Sequence, residues 1–281
     1  MRRTLSAAFL SLILLVLATG PNLPATATPA IPQLKSGVPL YRVFRGFRRA
    51  DITHEAFVQD LQTRFIPAVA RTHAKNGLVA YLPALPPEPH PPTLPDEVAI
   101  ILYESEPVYQ QAKATPEGQA YSALHWEIFD KQRSRSVTAV SLESTQNRLQ
   151  ADVGYDLMQL PTDWQQGHST FFIGWRQRGV PVADFLPRLT AHVKHVKTAF
   201  APYGLNGYVV IATPDYEIAY MHWQDQAGAE AAFTSAPGQQ VIDEAQALLE
   251  SLQWSPTTGF SGRIQPGQAV NIKFKRRAPN P

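Results

Sequence analysis

From Phe171 to Trp254 the apolar positions change period in a fixed order. Phe171–Gln177 alternates as a strand does. Asp184 is an N-cap candidate for a helix in which Phe185, Leu189, Val193, Val196 and Phe200 recur at helical spacing. Gly204 and Gly207 turn the chain into the apolar strand Tyr208–Ala212, and Glu217–Trp223 follows as a strand after the tight Pro214-Asp215 turn. Ser235 and Pro237 open another helix, whose buried stripe reads Val241, Ala245, Leu248, Leu249 and Leu252. The same order occurs earlier. Val38–Arg48 reads as a strand with Tyr41, Val43, Arg45 and Phe47 on one face. Thr53 caps a helix from His54 to about Lys75 that Pro67 should kink. Asn76-Gly77 ends it before the short strand Leu78–Leu82. Glu97–Tyr103 is apolar on both faces, as a covered central strand is. Thr115-Pro116 opens a helix to about Asp130. Each half closes on a strand-like tail, Ser136–Leu142 in one and Gln268–Phe274 in the other.

The two halves superimpose by number. Gly174 falls under Gly46 and Phe185 under Phe57, and 174−46 and 185−57 both give 128. Gly204 over Gly77 gives 127. Beyond residues 83–95, which hold seven prolines in thirteen positions and predict an extended loop, the offset is 120 for Glu217 over Glu97 and Gly238 over Gly118. Offsets that hold within elements and change in loops are the mark of internal duplication. The expected fold is α+β, two tandem ferredoxin-like β-α-β-β-α-β repeats over 38–142 and 169–275. Between them 143–168 is expected to be mostly irregular, and 276–281 forms a basic, proline-containing tail.

A duplicated unit of this kind resembles the dimeric α+β barrel superfamily, in which two such sheets face each other and close a barrel. The stretches Lys113-Ala114-Thr115-Pro116-Glu117-Gly118-Gln119 and Thr234-Ser235-Ala236-Pro237-Gly238-Gln239 look like the helix start of its EthD-like and antibiotic-biosynthesis-monooxygenase-like members. The resemblance implies an intramolecular barrel in a monomer. It also implies a small-molecule ligand, which cofactor-free oxygenases, isomerases and haem proteins of the superfamily would all satisfy. No cofactor is required by the sequence, and haem is left open.

Composition narrows the class. Arg2 and Arg3, the apolar run Ala7–Ala18 and Ala25-Thr26-Ala27 have the form of a cleaved secretory leader, 1–27, predicting a periplasmic or secreted protein. Nothing later approaches the length of a membrane span. The chain has 25 basic and 23 acidic residues; removing the two leader arginines leaves 23 against 23, which gives no electrostatic case for nucleic acid. There is no cysteine, hence no disulfide or thiolate chemistry.

Candidate chemistry rests on polar residues where the other half is apolar. His222 and Tyr220 share a strand face with Tyr216 and Ile218, whereas the matching face of the first half reads Val98, Ile100 and Leu102. His222 is either a catalytic base with Tyr220 as hydrogen-bond donor, or a satisfied core histidine. His125 stands on a buried helical stripe where the other half has Ala245, as a cavity-lining group or a covered one. Arg45, opposite Ile173 by number, needs an anionic partner, either Glu97 or Glu104 or a ligand's carboxylate. Tyr208 and Trp175 complete the ligand-binding set, although Trp175, like Trp126, Trp164 and Trp223, also suits simple packing. His192 and His195 lie three apart without a carboxylate at suitable spacing, so no metal site is expected. Three functions follow: an oxygenase- or isomerase-like enzyme using His222 and Tyr220, a binder of haem or another apolar anion using His125 or His222 with Arg45, and a partner-binding module presenting the proline-rich loop.

Overall fold

The computed structural model describes residues 39–274. The leader, the tail residues Lys275, Arg276 and Arg277, and the side chain of Leu252 lie outside the described residues. Four antiparallel strands run in the order β4 (Arg135–Val140), β1 (Leu40–Gly46), β3 (Glu97–Tyr103), β2 (Leu78–Ala84), the inner β3 apolar on both faces. The order recurs in β9 (Leu249–Gly259), β6 (His168–Arg176), β8 (Tyr216–Trp223) and β7 (Leu205–Ala212). Two three-residue strands join the runs. β5 (Gly154–Asp156) is parallel to β4 and antiparallel to β7, and β10 (Ala269–Asn271) is parallel to β9 and antiparallel to β2. The result is a closed, mixed, ten-strand barrel. Closure removes the exposed edges that an open sheet would present.

Side chains from both runs meet inside the barrel in one apolar cluster that includes Val43, Val98, Ile100, Phe171, Ile173, Val209, Ile218 and Tyr220. Helices cover the outside. On the first run these are α1 (His54–Asp60), α2 (Ile66–His73), α3 (Glu106–Ala114) and α4 (Pro116–Ile128); on the second, α5 (Val182–Phe200), α6 (Gln226–Thr234) and α7 (Ala236–Leu248).

The corner between α6 and α7 explains the small-residue motif. Ser235 Oγ accepts from the Gly238 amide at 3.0 Å, as an N-cap should, and Thr115 Oγ1 does the same for Gly118 at 3.0 Å. A Cβ on Gly238 would lie 1.9 Å from the Ala232 carbonyl oxygen, and one on Gly118 2.1 Å from that of Ala112. Glycine is needed there for close approach of backbone to backbone.

Several expectations are corrected. The bend at Pro67 is a π-helical turn, Leu61–Phe65, in which the Ile66 amide bonds Leu61 O; the wider turn accommodates the amide that proline lacks. Pro181, rather than Asp184, precedes the first residue of α5. The last helix stops at Leu248, because pairing with β6 takes Leu249 into extended backbone (φ −129°, ψ 138°) and overrides its helical spacing. The outer strand of the second run is therefore β9, and Gln268–Phe274 supplies the joining strand β10. The stretch 143–168 is mostly irregular as expected, with the three-residue β5 closing the other junction. The proline-rich stretch begins inside β2 at Pro83 and Ala84, and its Leu85 exchanges backbone hydrogen bonds with Gln268 and Gly267.

Candidate functional site

Because strand residues alternate faces, β8 sends Tyr216, Ile218, Tyr220 and His222 one way and Glu217, Ala219, Met221 and Trp223 the other. The second set faces the helices. Between it and α5 and α7 lies a cavity of about 340 Å³. Phe172, Phe200, Phe233 and Trp254 form aromatic walls, Met221 and Val241 complete the apolar lining, and Trp254 is 44% exposed at the surface. Two polar groups of the sheet are set into this lining. Glu217, on β8, is buried, and its carboxyl is within hydrogen-bonding reach of the Tyr208 hydroxyl on β7. Burial pushes the Glu217 carboxyl up to about 8, against a smaller opposing effect of the Tyr208 hydrogen bond. The buried Tyr208 phenol is pushed well above its ordinary value. At neutral pH the cavity thus contains a largely protonated carboxylic acid beside a neutral phenol.

His192, on α5, also lines the cavity, and its Nδ1 lies 3.4 Å from Glu244 Oε2 of α7. Desolvation holds its pKa below the usual imidazole value, with Glu244 acting in the opposite sense. His195 Nδ1 is 2.8 Å from the other oxygen of the same carboxylate. The carboxylate missing from the local sequence is therefore supplied across the helix pair.

The first run carries a related but smaller space. Tyr81 donates to Glu97 Oε1 at 3.0 Å, and burial raises that carboxyl to about 8 as well. A cavity of about 190 Å³ lies between β1, β3 and the helices, lined by Phe44, Tyr103, Tyr121, His125 and Trp126. His125 packs edge-on to Phe44 with ring centroids 4.7 Å apart, and desolvation lowers its pKa to about 4. It stands ten residues after the cap Thr115, and Ala245 stands ten after the cap Ser235. The imidazole occupies space that the Ala245 methyl leaves open.

The residues singled out from sequence are distributed over three places. Tyr208 lines the larger cavity and His125 the smaller. Tyr220, His222, Arg45 and Trp175 point toward the barrel interior, where partners already engage them. The Tyr220 hydroxyl donates to Val98 O at 2.9 Å. His222 Nδ1 is 2.5 Å from Asn206 Oδ1 and its Nε2 is 2.7 Å from Gln166 O. Arg45 pairs with neither Glu97 nor Glu104. Its Nη1 reaches Asp152 Oδ1 at 2.6 Å and Tyr216 Oη at 3.3 Å, and Trp175 stacks on the Tyr216 ring. Glu97 is unavailable to it because the strand alternation puts that carboxyl on the opposite face. Glu217 leaves only a faint mark in the sequence, a lone acid on a strand face that otherwise reads Ala219, Met221 and Trp223.

No family model matches the sequence, and no curated protein matches it significantly. Among solved structures, the fold is similar to that of a candidate monooxygenase from Lactobacillus acidophilus, at 9% identity and TM-score 0.43 over 84% of this chain and 100% of that one. It is similar to a candidate monooxygenase from Fusobacterium nucleatum, at 10% identity and TM-score 0.41 over 84% of this chain and 98% of that one. An anthrone oxidase-like protein follows at 9% identity and TM-score 0.38, covering 78% and 88%. At these values the likeness is distant. The strand order itself shows a closed ten-strand barrel drawn from one polypeptide.

Proposed function

We propose that the protein binds a small, flat, largely apolar molecule in the cavity under α5 and α7, and that Glu217 and Tyr208 handle the one polar group of that molecule. The observation that carries this reading is the placement of a neutral, buried carboxyl and a phenol in an aromatic-walled space of about 340 Å³, within the size range of small-molecule sites. With the Glu217 pKa raised to about 8, the ionised fraction of the carboxyl can take a proton from an acidic C–H or O–H of the bound molecule and, once protonated, return it. Such a step is shared by isomerases and by cofactor-free oxygenases, which supports the enzyme reading over a passive carrier. Glu217 and Tyr208, rather than His222 and Tyr220, take these roles, because the latter pair is buried and hydrogen-bonded to Val98 O, Asn206 Oδ1 and Gln166 O.

Haem fits less well. The larger cavity has no lysine or arginine in its lining to meet propionates, and its histidine faces Glu244. The smaller has His125, Arg42 and Lys113, yet its volume of about 190 Å³ is below the usual range for ligand sites. We also read the two strand runs as a duplicated ferredoxin-like unit, the protein as a monomer and the leader as an export signal.

The probe for the test is 2-naphthol, a flat ring system with a single hydroxyl. Ala245→His, which copies the filled twin, is expected to weaken its binding at least tenfold in calorimetric titration, about 1.4 kcal/mol. Tyr220→Phe should leave affinity within about twofold. Unchanged binding by Ala245→His would remove the cavity from consideration.

A further inference from the structure

We propose that His54, Glu88 and His90, supported by Asp96, form a site for a divalent transition-metal ion of the zinc class. His54 is the first residue of α1, Glu88 and His90 lie in the proline-rich insert, and Asp96 immediately precedes β3. The chain thus brings three separate segments to one point. Ligating atoms of His54, Glu88 and Asp96 lie within 4.8 Å of one another. Glu88 Oε1 is 3.0 Å from His54 Nδ1 and 3.2 Å from His90 Nε2.

The hydrogen-bond pattern favours a cation at this point. His90 Nδ1 is 3.1 Å from Pro91 O, and a carbonyl only accepts, so Nδ1 carries a proton. In the neutral ring Nε2 then presents a lone pair toward a carboxylate oxygen. A ring fixed through Nδ1–H to a backbone carbonyl, with Nε2 as the donor atom, is the usual posture of a ligating histidine. Both ring nitrogens of His54 are buried and without a hydrogen-bond partner, despite the nearness of Glu88. A polar group buried in this way is unfavourable unless something engages it. An ion at the Glu88 carboxylate would engage the His54 lone pair, and His90 Nε2 lies 3.2 Å from the same carboxylate oxygen.

The surroundings set the order of the ligands. Arg48 Nε lies 3.0 Å from Asp96 Oδ1, and the Arg48 amide lies 2.9 Å from Oδ2. Asp96 is therefore held in place but weakened as a donor. Arg133, which lines the same small space, is turned to Pro92 O. Two imidazoles and one carboxylate are a donor set for zinc and its neighbours in the first transition row, and a poor one for magnesium or calcium. The bound ion would clip the insert to the start of α1.

The test uses the protein stripped with EDTA, titrated with Zn2+ by calorimetry and with Co2+ by visible absorption. The expected result is one Zn2+ per chain and a d–d spectrum for Co2+. His90→Ala and the double variant His54→Ala/Glu88→Gln should each weaken Zn2+ at least tenfold while circular dichroism in EDTA stays that of the parent. The double variant His192→Ala/His195→Ala should bind as the parent does. Absence of stoichiometric Zn2+ binding overturns the proposal. So does binding that survives His90→Ala and the His54→Ala/Glu88→Gln variant, or that disappears with the α5 histidines instead.

Discussion

Alanine at Gly238 is expected to destabilise the protein by about 3 kcal/mol, an overpacking effect at the upper end of the usual range. In an ordinary helix the same change would stabilise by up to about 1 kcal/mol. The sign reverses here because the new methyl carbon would sit 1.9 Å from the Ala232 carbonyl oxygen, and the capped turn at Ser235 leaves neither backbone segment free to retreat. For a chain of this size the loss corresponds to a melting temperature lower by roughly 10 °C. Gly179→Ala is the control, since nothing lies within 4 Å of its added carbon, and it should be close to neutral. Equal melting temperatures for the two variants would show that the corner between α6 and α7 is looser than described.

The second large effect is on the pH dependence of stability. Burial raises Glu97 and Glu217 from 4.5 to about 8. Between those values the folded protein holds protons that the unfolded chain has released. The stabilisation is complete below the unfolded value and is lost as pH rises toward 8. Each carboxyl contributes a loss of about 1.4 kcal/mol per pH unit. His73 and His125, lowered by burial from 6.5 to about 4, act oppositely: their stabilisation is present above 6.5 and lost as pH falls toward 4. The two effects offset one another below 6.5, so the carboxyl slope stands clear from pH 6.5 to 8. Thermal melts should show stability falling over that window in the parent, and falling about half as steeply in Glu217→Gln. A flat parent curve would contradict two neutral, buried carboxyls.

Much of the fold was legible because its longer elements carry their own period. The continuous apolar run of Glu97–Tyr103, the helical spacing from Phe185 to Phe200 and the Thr115 and Ser235 caps are local signals, and they reappear as β3, α5 and the two helix corners. What was not legible depends on pairing at a distance. β5 and β10 are three residues each and have no periodicity to detect. Leu249 fits a helical stripe and a strand equally well until β6 is beside it. Arg45 finds Asp152, 107 residues away, from a stretch with no pattern. The site was half legible for the same reason. Tyr208 was singled out as one of several polar residues in the second half, but its partner Glu217 served only as an alignment mark. Strand alternation assigned Tyr220 and His222 to one face without showing which face is filled.

The central claim is that ligand enters the cavity between sheet and helices and not the barrel interior. Intermolecular nuclear Overhauser effects from 2-naphthol to assigned methyl groups test it most directly. Contacts to Met221, Val241 and Leu249, with none to Val98, Ile218 or Val209, are the predicted result. Contacts to the second set of methyls would place the ligand inside the barrel and contradict the account.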